Sequence, residues 1–140
     1  MNITLISIGK PKKGPESDLA QEYIKRLDGK VVHKWLSDRE AQDLGSKLGK
    51  NETLVVLDER GQSFASPDLA KAFEKLITAR GPNVTCIIGG AEGHTQSMRD
   101  RADLLWALGP ATWPHQIVPM LVCEQLYRTQ QILKGHPYHK

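Results

Sequence analysis

The residues whose types and spacing could do chemistry all lie between Thr85 and Lys140. Gly89-Gly90-Ala91-Glu92-Gly93 follows the apolar run Cys86-Ile87-Ile88 and precedes a helical pattern. That is the layout of a nucleotide-binding turn beyond the end of a strand. Taken alone, the loop reads more simply as a strand-to-helix turn that needs glycine for its dihedrals. The spacing is GGxxG, not GxGxxG, no acid stands about 20 residues on to hold a ribose, and no lysine-serine pair follows. Neither a dinucleotide fingerprint nor a P-loop fits.

Leu108-Gly109-Pro110-Ala111-Thr112-Trp113-Pro114-His115-Gln116 is a second such stretch. Its prolines hold the backbone extended and delay the next helix. Extended backbone beside Leu108 and Trp113 suits an adenine read by peptide N–H and C=O groups, and an ordinary loop with His115 as a helix cap fits equally well. Glu124 and Arg128, in Glu124-Gln125-Leu126-Tyr127-Arg128, stand i, i+4 on one helix face. The plainest reading there is a surface salt bridge worth a few tenths of a kcal/mol. Gly135-His136-Pro137-Tyr138-His139-Lys140 ends the chain with two imidazoles, a phenol and an ammonium. Tails without structure rarely spend tyrosine and proline this way. No third ligand accompanies His136 and His139, so no metal site is expected.

The elements that must position these groups are legible from periodicity. Residues 2 to 8 alternate as a strand and run into a loop from Gly9 to Gly14. From Glu16, Leu19, Ala20, Tyr23, Ile24 and Leu27 share one helix face, stopped by Asp28-Gly29. Lys30 to Leu36 reads as a strand, and Asp38 to Leu48 as a polar helix weakened by Gly45. Thr53 to Leu57 is a continuous apolar run suited to a strand covered on both faces. Ser66-Pro67-Asp68 supplies an N-cap, a proline in the first turn and an acid for the helix dipole, and Gly81-Pro82 ends that helix. Val84 to Ile88 is a buried strand, Thr95 to Ala102 a short helix, Leu104 to Leu108 a strand and Met120 to Leu133 the last helix. Strands alternating with helices predict an α/β fold with a mostly parallel sheet flanked by helices.

Composition bounds the rest. A chain of 140 residues is one domain and buries roughly 70% of its unfolded surface, so it needs neither disulfide nor metal. Cys86 and Cys123 lie in apolar surroundings and read as free, buried thiols in a reducing compartment. Met1 to Lys10 lacks the order of a secretory signal, and no apolar run reaches the ~20 residues that span a bilayer. A cytoplasmic protein with no membrane partner is expected. Lysine and arginine total 19 against 16 acids, an excess that permits nucleic acid as a partner without pointing to one.

Taken together, LVVLDERG at 54–61, CIIGGAEG at 86–93, the loop from Leu108 to Gln116, EQLYR at 124–128 and the GHPYHK end resemble one family. They resemble the small SPOUT-class methyltransferases that methylate N3 of a pseudouridine in bacterial large-subunit ribosomal RNA. The likeness runs over the whole chain and thins between Val31 and Asn51, where this chain looks shorter. It implies a single SPOUT domain over residues 1–140 with a C-terminal trefoil knot, a homodimer, and S-adenosylmethionine as the methyl donor. By matching motif it places Leu57, Gly89, Leu108, Gly109, Pro110, Ala111, Thr112 and Trp113 on that donor. It assigns Tyr138, His139 and Arg128 to catalysis, and Arg128, His136 and Lys140 to RNA, with the assembled ribosome as the expected substrate. A knotted RNA-binding protein without transferase activity, or a SPOUT enzyme for another RNA, are the competing readings. One departure stands out: Pro119 occupies a position where the family usually carries arginine. Since proline sits comfortably only in a first turn, the last helix should begin at about Val118 or later.

Overall fold

In the computed structural model, residues 1–139 are described. Five parallel strands form one sheet in the order β2-β1-β4-β3-β5. In chain order the elements are β1 (Asn2–Ile8), α1 (Pro15–Arg26), β2 (Val31–Leu36), α2 (Asp38–Gln42), α3 (Leu44–Lys47), β3 (Thr53–Ser63), α4 (Ser66–Arg80), β4 (Asn83–Ile88), α5 (Gln96–Arg101), β5 (Leu104–Ala107) and α6 (Val118–Lys134). The expected α/β class is present, and where a mostly parallel sheet was expected every strand pairing is parallel. Among the described residues no helix is long and apolar enough to cross a membrane.

Side-chain alternation sorts the sheet into two faces. Ile3, Leu5, Val55, Leu57, Cys86 and Ile88 point toward α1, α4 and α6, where Phe73, Val122 and Leu126 complete the larger core. Ile6, Leu54, Val56 and Ile87 point the other way, onto Leu44 and Met98 of the short helices. Both faces are covered, which explains why Thr53 to Leu57 is apolar at every position but its first. Cys86 and Cys123 are free and buried. Burial pushes the thiol pKa of each up to about 12, so both stay protonated and unreactive.

The last helix lies against α1 and α4. Gln130, almost fully buried, accepts from the Asp28 N–H at 2.9 Å and donates to the Asp28 carbonyl at 3.0 Å. That reciprocal pair seals the turn after α1 and fixes the register of α6. The helix begins at Val118, with Pro119 in its first turn and buried, in line with the late start that proline demands. Its first helical bond near the start runs from the Leu121 N–H to the Ile117 carbonyl.

Three expectations need correcting. The segment from Asp38 to Leu48 is two short helices, α2 started by a Ser37 capping box and the break falling at Asp43, whose backbone leaves the helical region. Ser66 is the first residue of α4 rather than its cap. Ala65 holds the cap position, and the Ser66 hydroxyl donates instead to Gln125 Oε1 of α6 at 2.9 Å. The third concerns β3, which does not end at Leu57. Residues 58 to 61 swing out, and the strand rejoins β5 at Gln62 and Ser63, so that Leu57 and Gln62 both face Trp106. The excursion is closed by Gly61, whose absent Cβ would lie 2.6 Å from the Leu105 carbonyl. Gly61→Ala is therefore expected to cost roughly 1–3 kcal/mol, whereas Gly45→Ala, with open space around it, should be neutral or gain up to about 1 kcal/mol. Urea denaturation of the two variants checks the contrast; equal midpoints would refute the bulge geometry.

Candidate functional site

Buried parallel strands expose their peptide groups only where they end. The carboxyl ends of β3, β4 and β5 accordingly open into a cleft of about 510 Å³. Its walls are the three loops that leave those strands. Leu57 with the 58–61 excursion forms one, Gly89 to His94 the second, and Leu108 to His115 the third. Of the residues expected to hold a donor, Leu57, Gly89, Leu108, Gly109, Ala111, Thr112 and Trp113 all line this cleft, while Pro110 does not. The Trp113 indole donates to the Leu108 carbonyl at 2.9 Å. That bond folds the third loop onto itself and leaves the ring, 44% exposed, as an outer wall.

A residue that sequence reasoning passed over sits at the centre. His94 Nε2 donates to the Leu57 carbonyl at 2.9 Å. Its ring packs on Gly89, where a Cβ would come within 3.0 Å of Nε2. The only signal in the sequence was its place directly after the glycine loop. Burial holds the His94 imidazole below its ordinary pKa of 6.5, against the opposing pull of the Leu57 carbonyl and Asp58. Asp58 itself is paired with Arg99 at 3.3 Å, and Arg99 also donates to the His94 carbonyl at 2.7 Å. Glu59 and Glu92 add carboxylates to the cleft wall.

The terminal residues assemble elsewhere on α6. Arg128 donates to Glu124 Oε1 through Nε at 3.0 Å and Nη2 at 2.5 Å, and through Nη1 to His139 Nδ1 at 3.1 Å. The Tyr138 hydroxyl donates to the same Glu124 oxygen at 3.0 Å and lies 3.5 Å from the Tyr23 hydroxyl. Its ring stands edge-on to Tyr127, with the Arg128 guanidinium 4.9 Å from its centroid. The Glu124–Arg128 pair is thus the hub of a half-buried network rather than the surface bridge that spacing suggested. Burial, with the bonds to Tyr23 and Glu124, raises the Tyr138 pKa, and the bonds to Glu124 raise that of Arg128. Tyr138 therefore keeps its proton near neutrality. His136 is exposed and accepts from the Tyr138 N–H through Nδ1 at 3.2 Å. Lys140 lies outside the described residues. Among the described residues there is no metal-ligating cluster.

Cleft and terminal network are not one cavity in the single chain. An apolar groove of about 490 Å³ runs between them, from Trp113 and Leu108 past Met120 to Tyr23 and Glu124.

Comparison with known proteins covers the whole arrangement. Residues 1–139 match the family model described as a predicted SPOUT methyltransferase. The protein named ribosomal RNA large subunit methyltransferase H in Paramagnetospirillum magneticum is 38% identical, covering 100% of this chain and 99% of its own. Those of the same name in Rhodospirillum centenum and Agrobacterium fabrum are 39% and 38% identical with the same coverage.

The two half-buried imidazoles set a pH dependence. Burial lowers His33 and His94 below 6.5 in the folded chain, and unfolding returns them to about that value. Between the folded and unfolded values the unfolded chain binds more protons, so stability is complete above about pH 6.5 and is lost as pH falls through the folded values. The urea midpoint should drop between about pH 7.5 and about pH 5.5, and drop less in His94→Gln and His33→Gln. Equal drops in all three proteins would refute the assignment.

Proposed function

The chain belongs to the SPOUT methyltransferases, and from that membership we propose that it transfers a methyl group from S-adenosylmethionine to N3 of a pseudouridine in large-subunit ribosomal RNA. The observation that carries the reading is the cleft at the ends of β3, β4 and β5, which gathers all but Pro110 of the residues that the family motifs assign to the donor. Its chemistry fits that group. The walls offer peptide edges and apolar surface, Arg99 is taken up by Asp58, and Glu59 and Glu92 stand with Arg60 in the remaining wall. When bound, S-adenosylmethionine supplies a sulfonium methyl open to a nucleophile. Leu57, Gly89 and the loop from Leu108 to Trp113 would hold it, with His94 yielding the Leu57 carbonyl.

N3–H of a pseudouridine is a weak acid, so positioned donors that stabilise the departing negative charge should help. We assign Arg128 and His139 to placing the RNA and steadying that charge in the site of a second copy of the chain, with Tyr138 and Glu124 locking the guanidinium. Lys140 and His136 extend the contact to phosphate. Much of the acceleration would come from positioning alone. In the same reading the chain works as a homodimer on the assembled ribosome, its C-terminal segment threaded as a trefoil knot. The apolar groove between cleft and terminal network, with exposed Leu19 at its rim, supports a second copy closing over it.

Calorimetry with S-adenosylmethionine should give one site per chain, lost in Gly89→Val. Absence of heat from the wild-type protein would leave an RNA binder and sink the transferase reading. Mass spectrometry of large subunits from a strain lacking the gene, treated with protein and donor, should show one pseudouridine gaining a methyl; methylation at another nucleotide would overturn the target. Glu124→Gln is expected to lower the rate on RNA by on the order of 100-fold by releasing Arg128, with donor affinity unchanged.

A further inference from the structure

A second cavity, of about 240 Å³, opens beyond the ends of β1 and β4. These neighbours in the sheet send the chain in opposite directions, β1 toward β2 and β4 past β3 to β5. Such a switch point is where open parallel sheets bind ligands. Ile88, Gly89 and His115 line both this cavity and the cleft described above. Gly89 has no side chain, so it puts none between the two spaces. A group in one space is therefore the near neighbour of a group in the other.

The inner end of the cavity is built from Ser7, His33 and Trp35. Ser7 is buried and its hydroxyl lies 3.0 Å from His33 Nε2. Among the described residues no protein hydrogen bond reaches His33 Nδ1. The Trp35 ring lies beside the imidazole, with centroids 5.4 Å apart. Burial keeps the imidazole below its ordinary pKa, so it is neutral near pH 7 and able to donate or accept. At the mouth stand Lys10, Lys12 and Lys13, all exposed, with Glu16 as the one carboxylate among the lining residues.

A flat apolar ring, a neutral group with a free ring nitrogen, and clustered ammonium groups at the opening match the three parts of a nucleotide. The indole offers stacking surface, the imidazole reads a base edge, and lysines neutralise phosphate. The space is enclosed and small, so it takes one base swung out of an RNA stack rather than a run of them. We propose that this cavity receives the target nucleotide, its pyrimidine ring against Trp35 and His33 and its flanking phosphates on Lys10, Lys12 and Lys13. The proposal rests on the reading of the chain as an RNA methyltransferase, and it gives that enzyme a base site adjoining the donor cleft through Gly89.

Two measurements test it. In NMR titrations with uridine monophosphate, the Trp35 indole N–H and the His33 ring should shift while Trp113 does not, and His33→Ala should weaken binding by about tenfold or more. In methyl transfer to RNA, the double variant Lys12→Ala/Lys13→Ala should raise KM by about tenfold or more and reduce the slope of log affinity against log salt by about 1.4–1.8, with affinity for S-adenosylmethionine unchanged. No shift at Trp35, or a shift that survives His33→Ala unweakened, would overturn the base site. Binding of the monophosphate with an unchanged RNA KM in the lysine variant would make this a free-nucleotide site and overturn the RNA assignment. No transfer by the wild-type protein would instead overturn the functional reading, leaving the titration to decide the pocket.

Discussion

Burial of the sheet on both faces is the constraint from which the site follows. Strands covered above by α1, α4 and α6 and below by α3 and α5 spend their peptide groups on each other. Unpaired backbone then survives only at the strand ends, where the chain must leave the sheet. Ile88 and Ala107 are such ends, Leu57 is where β3 breaks its pairing with β5, and the segments that follow the three enclose the cleft. The excursion after Leu57 belongs to the same logic. It lifts Asp58 to Arg60 into the cleft wall and returns the chain to β5 without interrupting the core beneath, at the cost of a position only glycine can fill.

Carboxylate placement organises the rest of the molecule's chemistry. Glu124 receives both the Arg128 guanidinium and the Tyr138 hydroxyl on one oxygen, while Gln125 donates to the other at 2.8 Å. A single side chain on α6 thereby fixes the end of the chain, which would otherwise fray after Gly135. Gln125 in turn accepts from Ser66, so the same turn of α6 that holds the terminus is anchored to α4. Asp58 plays the matching part in the cleft, pinning Arg99 and through it the His94 backbone.

What was legible in the sequence divides by the range of the interaction. The parallel α/β class, α4 and the late start of α6 rest on periodicity and proline stereochemistry, which act over a few residues. That Leu57, Gly89 and the loop from Leu108 meet in one cleft was legible because a family motif had already recorded how loops far apart in sequence come together. Where neither guide applied, the reading fell short. Ser66 was assigned to capping on local rules, yet its partner is 59 residues away. β3 was ended at Leu57 because charged residues follow, and the resumption at Gln62 depends on β5, which no local pattern announces. His94 and the Ser7–His33 pair were passed over for the same reason. Lone histidines carry no spacing signal, and only folding brings His33 to Ser7 across β1 and β2.

Pro119 connects these strands of the argument. It was singled out as a lost positive charge, but the structure gives it a place: buried in the first turn of α6, in the wall of the cavity that holds His33 and Trp35. A guanidinium on that wall would have to give up water beside an imidazole that burial already keeps below its ordinary pKa. Burial lowers the His33 pKa, and an adjacent cation would lower it further while demanding its own solvation. With proline there, the interior stays apolar and uncharged, and positive charge is carried instead by Lys10, Lys12 and Lys13 at the solvent-exposed mouth. Charge at a mouth draws in a phosphate without having to be desolvated, whereas charge in the interior must be paired to be tolerated. Positive charge here thus stands at the rim and not in the wall, and the missing N–H of proline falls at a helix start where no hydrogen bond is forfeited.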